Sequence, residues 1–318
     1  MLTRLTALFL VILTQLGFLP QFYYGKESKQ LFADTVFSEG FTVVSQDASN
    51  GTLPLGDFVY SDSAEPRWMI AQWNSGGCLW ANRIEGDRFT LTDGVTKSVT
   101  YNPDDRSVSM RLNAAAVYGG KPAGDGAWPH LLLEQSLAGD YSAADENGKA
   151  FYRCDSDKLI FALDVRISDF CDTLNPEGIN AVQYQAFVYL SGVDGDKFVW
   201  FGIPVFDSRG ECETYWSRDT AGSNNMIYTV STADTYGTKL RSLNPFGTPR
   251  VGQRWTRICV DLTPHIEKMI ERANADNIFG KPVSAEDFYI SGTNIGFEIH
   301  GNYDCCVDIR NYTLTSFR

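Results

Sequence analysis

The sequence predicts an all-β fold, a two-sheet antiparallel β-sandwich, from three observations. Aromatic and β-branched residues recur in short runs that are separated by turns rich in Gly, Pro, Asn and Asp. About a dozen such runs follow one another at the spacing typical of sandwich folds. Only one segment has the apolar spacing of a helix. With 318 residues, of which 43% are hydrophobic, the chain can form a large core.

The clearest strands are two long runs within residues 180–209, joined by a Gly/Asp-rich turn, which predict a central β-hairpin. Because side chains alternate between the faces of a strand, Gln183 and Gln185 are expected on the face opposite to the apolar residues. That apolar face, which we expect to be core, consists of Val182, Tyr184, Ala186, Val188 and Leu190.

Strands are also predicted before and after this hairpin. They begin at Gly40 and include a turn at residues 102–105, where Pro103 suits the second turn position. One short helix is predicted near residues 264–275, with Thr263 as its cap and Pro264 at its first position. We expect this helix to cover one end of the sandwich.

The N-terminal residues 1–25 have the pattern of a targeting segment. Arg4 precedes an apolar run of about 15 residues, which is shorter than the ~20 residues that span a bilayer. This predicts a signal peptide, with an uncleaved signal anchor as the alternative. We therefore expect a secreted or cell-surface protein that contacts a membrane only through this segment if it is uncleaved. Residues 37–318 are expected to form a single β-sandwich domain.

The composition excludes some partners. A formal net charge of -12 and a pI near 4.7 argue against nucleic-acid binding, which needs clustered Lys and Arg. A strongly anionic polysaccharide is also expected to be repelled, unless residues such as Arg209 and Arg218 reverse the local field.

The seven cysteines show no CxxC pair and no zinc spacing, so no metal site is predicted from them. Cys259 lies in an apolar strand and is expected to be a buried free thiol. No cofactor is predicted. An acidic sandwich is compatible with a structural Ca²⁺ ion, although no ligand set stands out.

The segment WPHLLLEQ, residues 128–135, is the first candidate site. In an extended conformation Trp128, His130 and Glu134 lie on one face. An indole that stacks on a sugar ring beside groups that bind its hydroxyls is the chemistry a glycan site needs. The alternative is a partly buried histidine with satisfied hydrogen bonds and a solvated glutamate.

The segment GFEIHGNYD, residues 296–304, is the second candidate, because Glu298 and His300 lie on one face of a strand. If this segment neighbours residues 128–135 and 183–189 in one sheet, the polar residues of all three form one concave face. The alternative is an ordinary solvent-facing sheet surface.

The third candidate is the loop FDSRGECETYWSRD, residues 206–219, which follows the central hairpin. Asp207 and Arg209 are expected to pair, and Tyr215 and Trp216 are candidate platforms for stacking. A charged surface loop with a local salt bridge is the alternative.

Motifs of well-known enzyme classes are absent: there is no GxSxG, HExxH, GxxxxGK[ST] or dinucleotide fingerprint. A glycosidase needs two carboxylates about 5–10 Å apart, and Glu134 and Glu298 are the candidate pair. His130 or His300 is the candidate base for a lyase reaction.

The strand pattern, the helix before the last strands and the segments WPHLLLEQ and GFEIHGNYD resemble secreted β-jelly-roll proteins of the concanavalin A-like or carbohydrate-binding-module kind. The resemblance covers about residues 37–318 and identifies no single family. It implies a polysaccharide or oligosaccharide ligand on a concave sheet. An exported carbohydrate-binding protein is the first hypothesis. A polysaccharide-cleaving hydrolase or lyase and a structural surface module are the alternatives.

Overall fold

The structure is a computed structural model. It describes residues 27–47, 51–74, 78–81, 89–119, 121, 128–137, 150–172, 180–220, 223–235 and 255–318. The predicted signal peptide at residues 1–25 lies outside the described residues.

Sixteen strands and two complete α-helices are present in these ranges, and residues 232–235 are also helical. The strands are β1 (Ser28–Gln30), β2 (Phe41–Asp47), β3 (Gly51–Phe58), β4 (Trp68–Ala71), β5 (Thr90–Thr92), β6 (Lys97–Asn102), β7 (Ser107–Asn113), β8 (His130–Ser136), β9 (Lys158–Asp172), β10 (Ala181–Gly192), β11 (Phe198–Asp207), β12 (Tyr215–Arg218), β13 (Met226–Thr229), β14 (Thr256–Asp261), β15 (Phe288–His300) and β16 (Tyr303–Phe317). The helices are α1 (Ala114–Val117) and α2 (Thr263–Ala275), and a 3-10 turn spans Ala285–Asp287.

The strands form two sheets. The nine-stranded sheet has the order β12-β13-β11-β10-β15-β8-β4-β2-β3. The seven-stranded sheet has the order β14-β9-β16-β7-β6-β5, and β1 pairs with β16. Most pairs are antiparallel, while β2 with β4 and β11 with β13 are parallel. The predicted all-β fold, a two-sheet sandwich of the jelly-roll kind with a capping helix, is confirmed.

The central hairpin is formed by β10 and β11, which lie in the middle of the nine-stranded sheet. The five apolar residues that the alternation assigns to the core face of β10 are all fully buried. The predicted turn after Asn102 is also present, because β6 and β7 pair from Asn102 and Ser107.

Side chains from both sheets pack into one hydrophobic core. Residues before the predicted domain start at Phe37 take part in it: β1 pairs with β16, and Leu31 and Phe32 are each 3% exposed.

Helix α2 lies where the sequence predicts it, but its N-terminus is capped differently. Thr263 is the first helical residue, and its hydroxyl is buried without a partner among the described residues. The carboxylate of Asp261 instead accepts a hydrogen bond from the backbone N–H of Thr263 at 3.1 Å. Asp261 can reach this N–H because it ends β14 two residues earlier. Leu262 occupies the N-cap position without a side-chain cap hydrogen bond, so the expectation that Thr263 caps the helix is wrong.

All seven cysteines are free. Cys259 is exposed rather than buried, because it faces away from the core on β14 while its neighbours Ile258 and Val260 face inward. Among the described residues, no three His, Cys, Asp or Glu side chains cluster as metal ligands would. No helix in the described ranges combines the length and apolarity needed to cross a membrane.

Candidate functional site on the nine-stranded sheet

The face of the nine-stranded sheet that points away from the core, here called the outer face, carries most of the candidate residues. Strand order places β8, β15, β10 and β11 side by side, so the three predicted segments lie in neighbouring strands. Strand alternation then puts His130 and Glu134 of β8, Glu298 of β15 and the glutamines of β10 on the same side.

Four polar residues form a row across these strands, here called the cross-strand row. His130 lies opposite Glu298, Glu298 lies opposite Gln183, and Gln183 lies opposite Asp207. The imidazole Nε2 of His130 is 3.7 Å from a carboxylate oxygen of Glu298. The amide of Gln183 donates a hydrogen bond to Asp207 at 3.1 Å. The row continues in Arg209, which pairs with Asp207 through two hydrogen bonds of 2.9 and 2.5 Å.

A pocket of about 360 Å³ opens at the β11 end of this row. Its volume is at the lower end of the ~300–1,000 Å³ found for small-molecule sites. The pocket is lined by Gln183, Gln185, Pro204, Phe206, Asp207, Arg209, Cys212, Tyr215 and Thr229. Four of the predicted ligand-binding residues, the two glutamines with Asp207 and Arg209, thus meet in one cavity.

The polar groups of the pocket differ in how many hydrogen bonds they already make within the protein. Asp207 is only 6% exposed, and its hydrogen bonds from Arg209 raise the pKa of the guanidinium. Gln185 is 7% exposed, and no side-chain hydrogen bond in the described part of the chain involves it. The amide atoms of Gln185 are not among the fully buried polar atoms that lack a partner, so the amide is open to the pocket and free to bond a ligand there.

Trp216 does not line this pocket. It packs against the core, and the guanidinium of Arg272 from α2 stacks over its ring at 5.3 Å. Its neighbour Tyr215, which alternation directs to the outer face, lines the pocket and is 42% exposed. Because neighbouring side chains on a strand point to opposite faces, only Tyr215 of the two predicted platforms lies at the pocket.

Glu134 lies two rows away from the cross-strand row and faces Asn294 of β15. Burial raises the pKa of Glu134 to about 7, while a hydrogen bond with Asn294 and the nearby His130 lower it less. One carboxyl oxygen of Glu134 and the amide oxygen of Asn294 are buried without a partner among the described residues. Glu134 is thus a carboxyl group that holds its proton near neutral pH.

The two candidate catalytic carboxylates share the outer face but are not adjacent. Glu134 and Glu298 differ by four positions in the β8/β15 register, which separates their Cα atoms by roughly 13 Å. Catalytic carboxyl pairs of glycosidases lie about 5–10 Å apart, so the side chains would have to lean toward each other. The remaining candidates form another contact: the rings of Trp128 and His300 are 5.2 Å apart.

Sequence reasoning missed Asn294 and Cys212. Cys212 lies in the loop that was singled out as the third candidate, so only the choice of side chain was missed. Asn294 gave no signal, because nothing in the sequence shows that it faces Glu134.

Comparison with known proteins gives no match to a protein-family model and no match among curated protein sequences. Solved structures do show similarity. A cellulase derived from the Cel12A cellulase of Rhodothermus marinus is 9% identical, with a TM-score of 0.39 over 79% of this chain and 92% of that one. A family 12 xyloglucanase from Bacillus licheniformis is 10% identical, with a TM-score of 0.40 over 77% and 94%.

A family 11 xylanase from Neocallimastix patriciarum is 10% identical, with a TM-score of 0.36 over 72% of this chain and 90% of that one. The activities in these names belong to those proteins. The absence of a matching family model agrees with the expectation of a β-jelly-roll likeness without a named family.

Proposed function

We propose that this protein binds a glycan on the outer face of its nine-stranded sheet, with the pocket beside the cross-strand row as the main contact. The observation that carries the proposal is the composition of the pocket. Amides, an oriented guanidinium and aromatic rings surround a cavity in which the amide of Gln185 has no hydrogen bond to another described side chain and is open to a ligand.

A sugar ring offers both kinds of surface that this pocket complements. Its C–H face packs on apolar and aromatic groups, and the pocket supplies Pro204, Phe206 and Tyr215. Its hydroxyls donate and accept hydrogen bonds, which suits the amides of Gln183 and Gln185. Export through the N-terminal segment, as its sequence pattern indicates, would bring the protein to extracellular glycans.

A glycan array followed by calorimetry tests this proposal. Replacing Gln185 by Ala removes a buried hydrogen-bonding group, so the affinity for a bound oligosaccharide should fall about tenfold. Tyr215→Ala should weaken binding through the loss of stacking. Ser98→Ala, on β6 of the other sheet, is the matched control and should bind as the unchanged protein does. Absence of binding to every glycan would contradict the proposal and favour a structural module.

A second function, cleavage of the bound polysaccharide, is favoured by one observation. Burial raises the pKa of Glu134 to about 7, so this carboxyl is partly protonated at neutral pH as a general acid needs to be, and Glu298 lies on the same face. Assays for new reducing ends and for unsaturated products would detect hydrolase and lyase activity. Loss of turnover in both Glu134→Gln and Glu298→Gln, with binding retained, would support cleavage. Binding without turnover in the unchanged protein would leave glycan binding alone.

A further inference from the structure

We propose that the pocket accepts an uncharged sugar ring and rejects a ring that carries a carboxylate. This inference rests on the proposed glycan binding and specifies the class of glycan. It follows from how the charges of the pocket are already paired.

The carboxylate of Asp207 is fully engaged within the protein. It accepts hydrogen bonds from the side chain of Gln183, from the backbone N–H of Arg209 at 2.9 Å and from two nitrogens of the Arg209 guanidinium. These hydrogen bonds occupy all the acceptor positions of the two carboxylate oxygens. Asp207 is therefore a positioning residue that orients Arg209 and Gln183, rather than a group that binds sugar hydroxyls.

The positive charge of Arg209 is balanced by the same contact. Arg209 is the single cation among the residues that line the pocket, and the buried Asp207 is its direct ion-pair partner. A guanidinium paired in this way attracts a second carboxylate much less strongly than an unpaired one.

Glu298 adds a negative charge whose ion-pair partner among the described residues is His130, at 3.7 Å, rather than Arg209, which pairs with Asp207. It lies opposite Gln183 and acts electrostatically on Tyr215, which places it at the edge of the pocket. A carboxylate in the pocket would meet this charge as well as Asp207. Glu213, an exposed residue next to Cys212, adds to the negative field at the rim.

Arg218, which could have reversed this field, is directed elsewhere. Its guanidinium lies near the backbone oxygens of Asn224 and Ile278, on the side of β12 that faces α2 rather than the pocket. The groups left for a ligand are neutral: the amide of Gln185 and the phenol of Tyr215. Neutral donors and acceptors match hydroxyls.

Cys212 provides a direct readout, because its half-buried thiol lines the pocket. The full chain is treated with iodoacetamide, an uncharged reagent, and the alkylation of each cysteine is followed by mass spectrometry. Cys259, exposed on β14 of the other sheet, is the internal control. The probes are trimers of β-1,4-glucose, α-1,4-glucose and β-1,4-N-acetylglucosamine, and the C6-oxidised uronic forms of the two glucose trimers.

We expect at least one neutral trimer to slow the alkylation of Cys212 about tenfold, without effect on Cys259, while its uronic form gives no protection at equal concentration. In Glu298→Gln, the ratio of the affinity for the neutral trimer to the affinity for its uronic form should fall by about tenfold. Glu65→Gln, on an exposed loop, should leave this ratio unchanged.

Equal protection by the neutral and uronic forms would overturn the charge selectivity and leave glycan binding intact. Protection by no trimer would overturn glycan binding in the pocket, and with it this inference. An unchanged affinity ratio in Glu298→Gln would show that Glu298 does not contribute to selectivity and would also contradict the inference.

Discussion

Glu134 shows at the scale of one residue how a sheet face can change the chemistry of a side chain. The carboxyl group lies between β4 and β15, opposite Met69 on one side and Asn294 on the other. Burial there disfavours the charged form, and the hydrogen bond with Asn294 offsets only part of this cost. The result is a carboxyl group whose pKa is raised from 4.5 to about 7.

This shift predicts a dependence of stability on pH. Because the native state holds the proton more tightly than the unfolded state, the free energy of unfolding should fall as pH rises from about 4.5 to above 7. Glu134→Gln removes this ionisation. Urea titrations should therefore show similar stabilities at pH 4.5 and a variant more stable by up to about 3 kcal/mol at pH 8.

Glu65→Gln, where the side chain is 83% exposed, is the control and should follow the unchanged protein at every pH. If Glu134→Gln were less stable than the unchanged protein at pH 8, the carboxyl would be stabilised as an anion instead.

At the scale of single elements, the contact between β8 and β15 depends on a glycine. A Cβ atom added at Gly296 would lie 2.1 Å from the backbone oxygen of Leu131 and 2.7 Å from the Cα of Leu132. Backbone atoms of a central strand cannot move aside without breaking its hydrogen bonds to the neighbouring strands. We expect Gly296→Ala to lower the free energy of unfolding by about 3 kcal/mol, as measured by urea denaturation.

Gly292 on the same strand offers a matched comparison. A Cβ atom there would lie 2.7 Å from a ring carbon of Tyr189 and 2.9 Å from the backbone oxygen of Gln135, which is a smaller overlap with backbone than the 2.1 Å at Gly296. Gly292→Ala should therefore lower the free energy of unfolding by less than Gly296→Ala does. The reverse order would show that the close backbone approach at Gly296 can relax.

The N-terminus of α2 allows a second test at this scale. The Asp261 carboxylate satisfies the N–H of Thr263, while the Thr263 hydroxyl has no partner among the described residues. Asp261→Ala removes this hydrogen bond and the ion pair with Lys158 at 3.4 Å, so it should lower the free energy of unfolding by about 1 kcal/mol. Thr263→Ala should change it by less than about 0.5 kcal/mol. Equal losses in the two variants would restore Thr263 as the cap that the sequence suggested.

These elements also show what the sequence could and could not predict. Alternation along one strand is local, so the core face of β10 and the shared face of Glu298 and His300 follow from the residues alone. Strand neighbours depend on contacts far apart in the chain. No local pattern indicates that β8 pairs with β15, or that Glu134 faces Asn294. The helix start, where Leu262 rather than Thr263 is the N-cap, differs by one residue, which local patterns do not resolve.

At the scale of the whole molecule, a cluster of aromatic rings joins the two sheets. Tyr312 of β16, in the seven-stranded sheet, lies 5.5 Å from Trp68 of β4, in the nine-stranded sheet, and 5.6 Å from Phe161 of β9. Its hydroxyl forms a 2.5 Å hydrogen bond with Thr293 of β15. Both Trp68 and Tyr312 are fully buried. Since these contacts cross between the layers, neither sheet has a separate core in this region.

We therefore expect residues 27–318 to unfold as one cooperative unit, which is the single domain that the sequence suggested. Pulsed thiol labelling in a urea series can follow the two sheets separately. Cys305 lies buried on β16, and Cys154 lies buried where its backbone N–H bonds to Phe288 of β15. Both thiols should become reactive at the same urea concentration.

Tyr312→Ala tests whether the aromatic cluster produces this coupling. Removing the ring leaves a cavity between the sheets and deprives Thr293 of one partner, so the free energy of unfolding should fall by about 3–5 kcal/mol. Because Tyr312 contacts both sheets, the urea midpoints for labelling of Cys305 and Cys154 should fall together. Val95→Ala, at a turn residue that is 67% exposed, should move neither midpoint. If Tyr312→Ala lowered the midpoint of Cys305 alone, the sheets would be separate folding units and the aromatic cluster would stabilise only one of them.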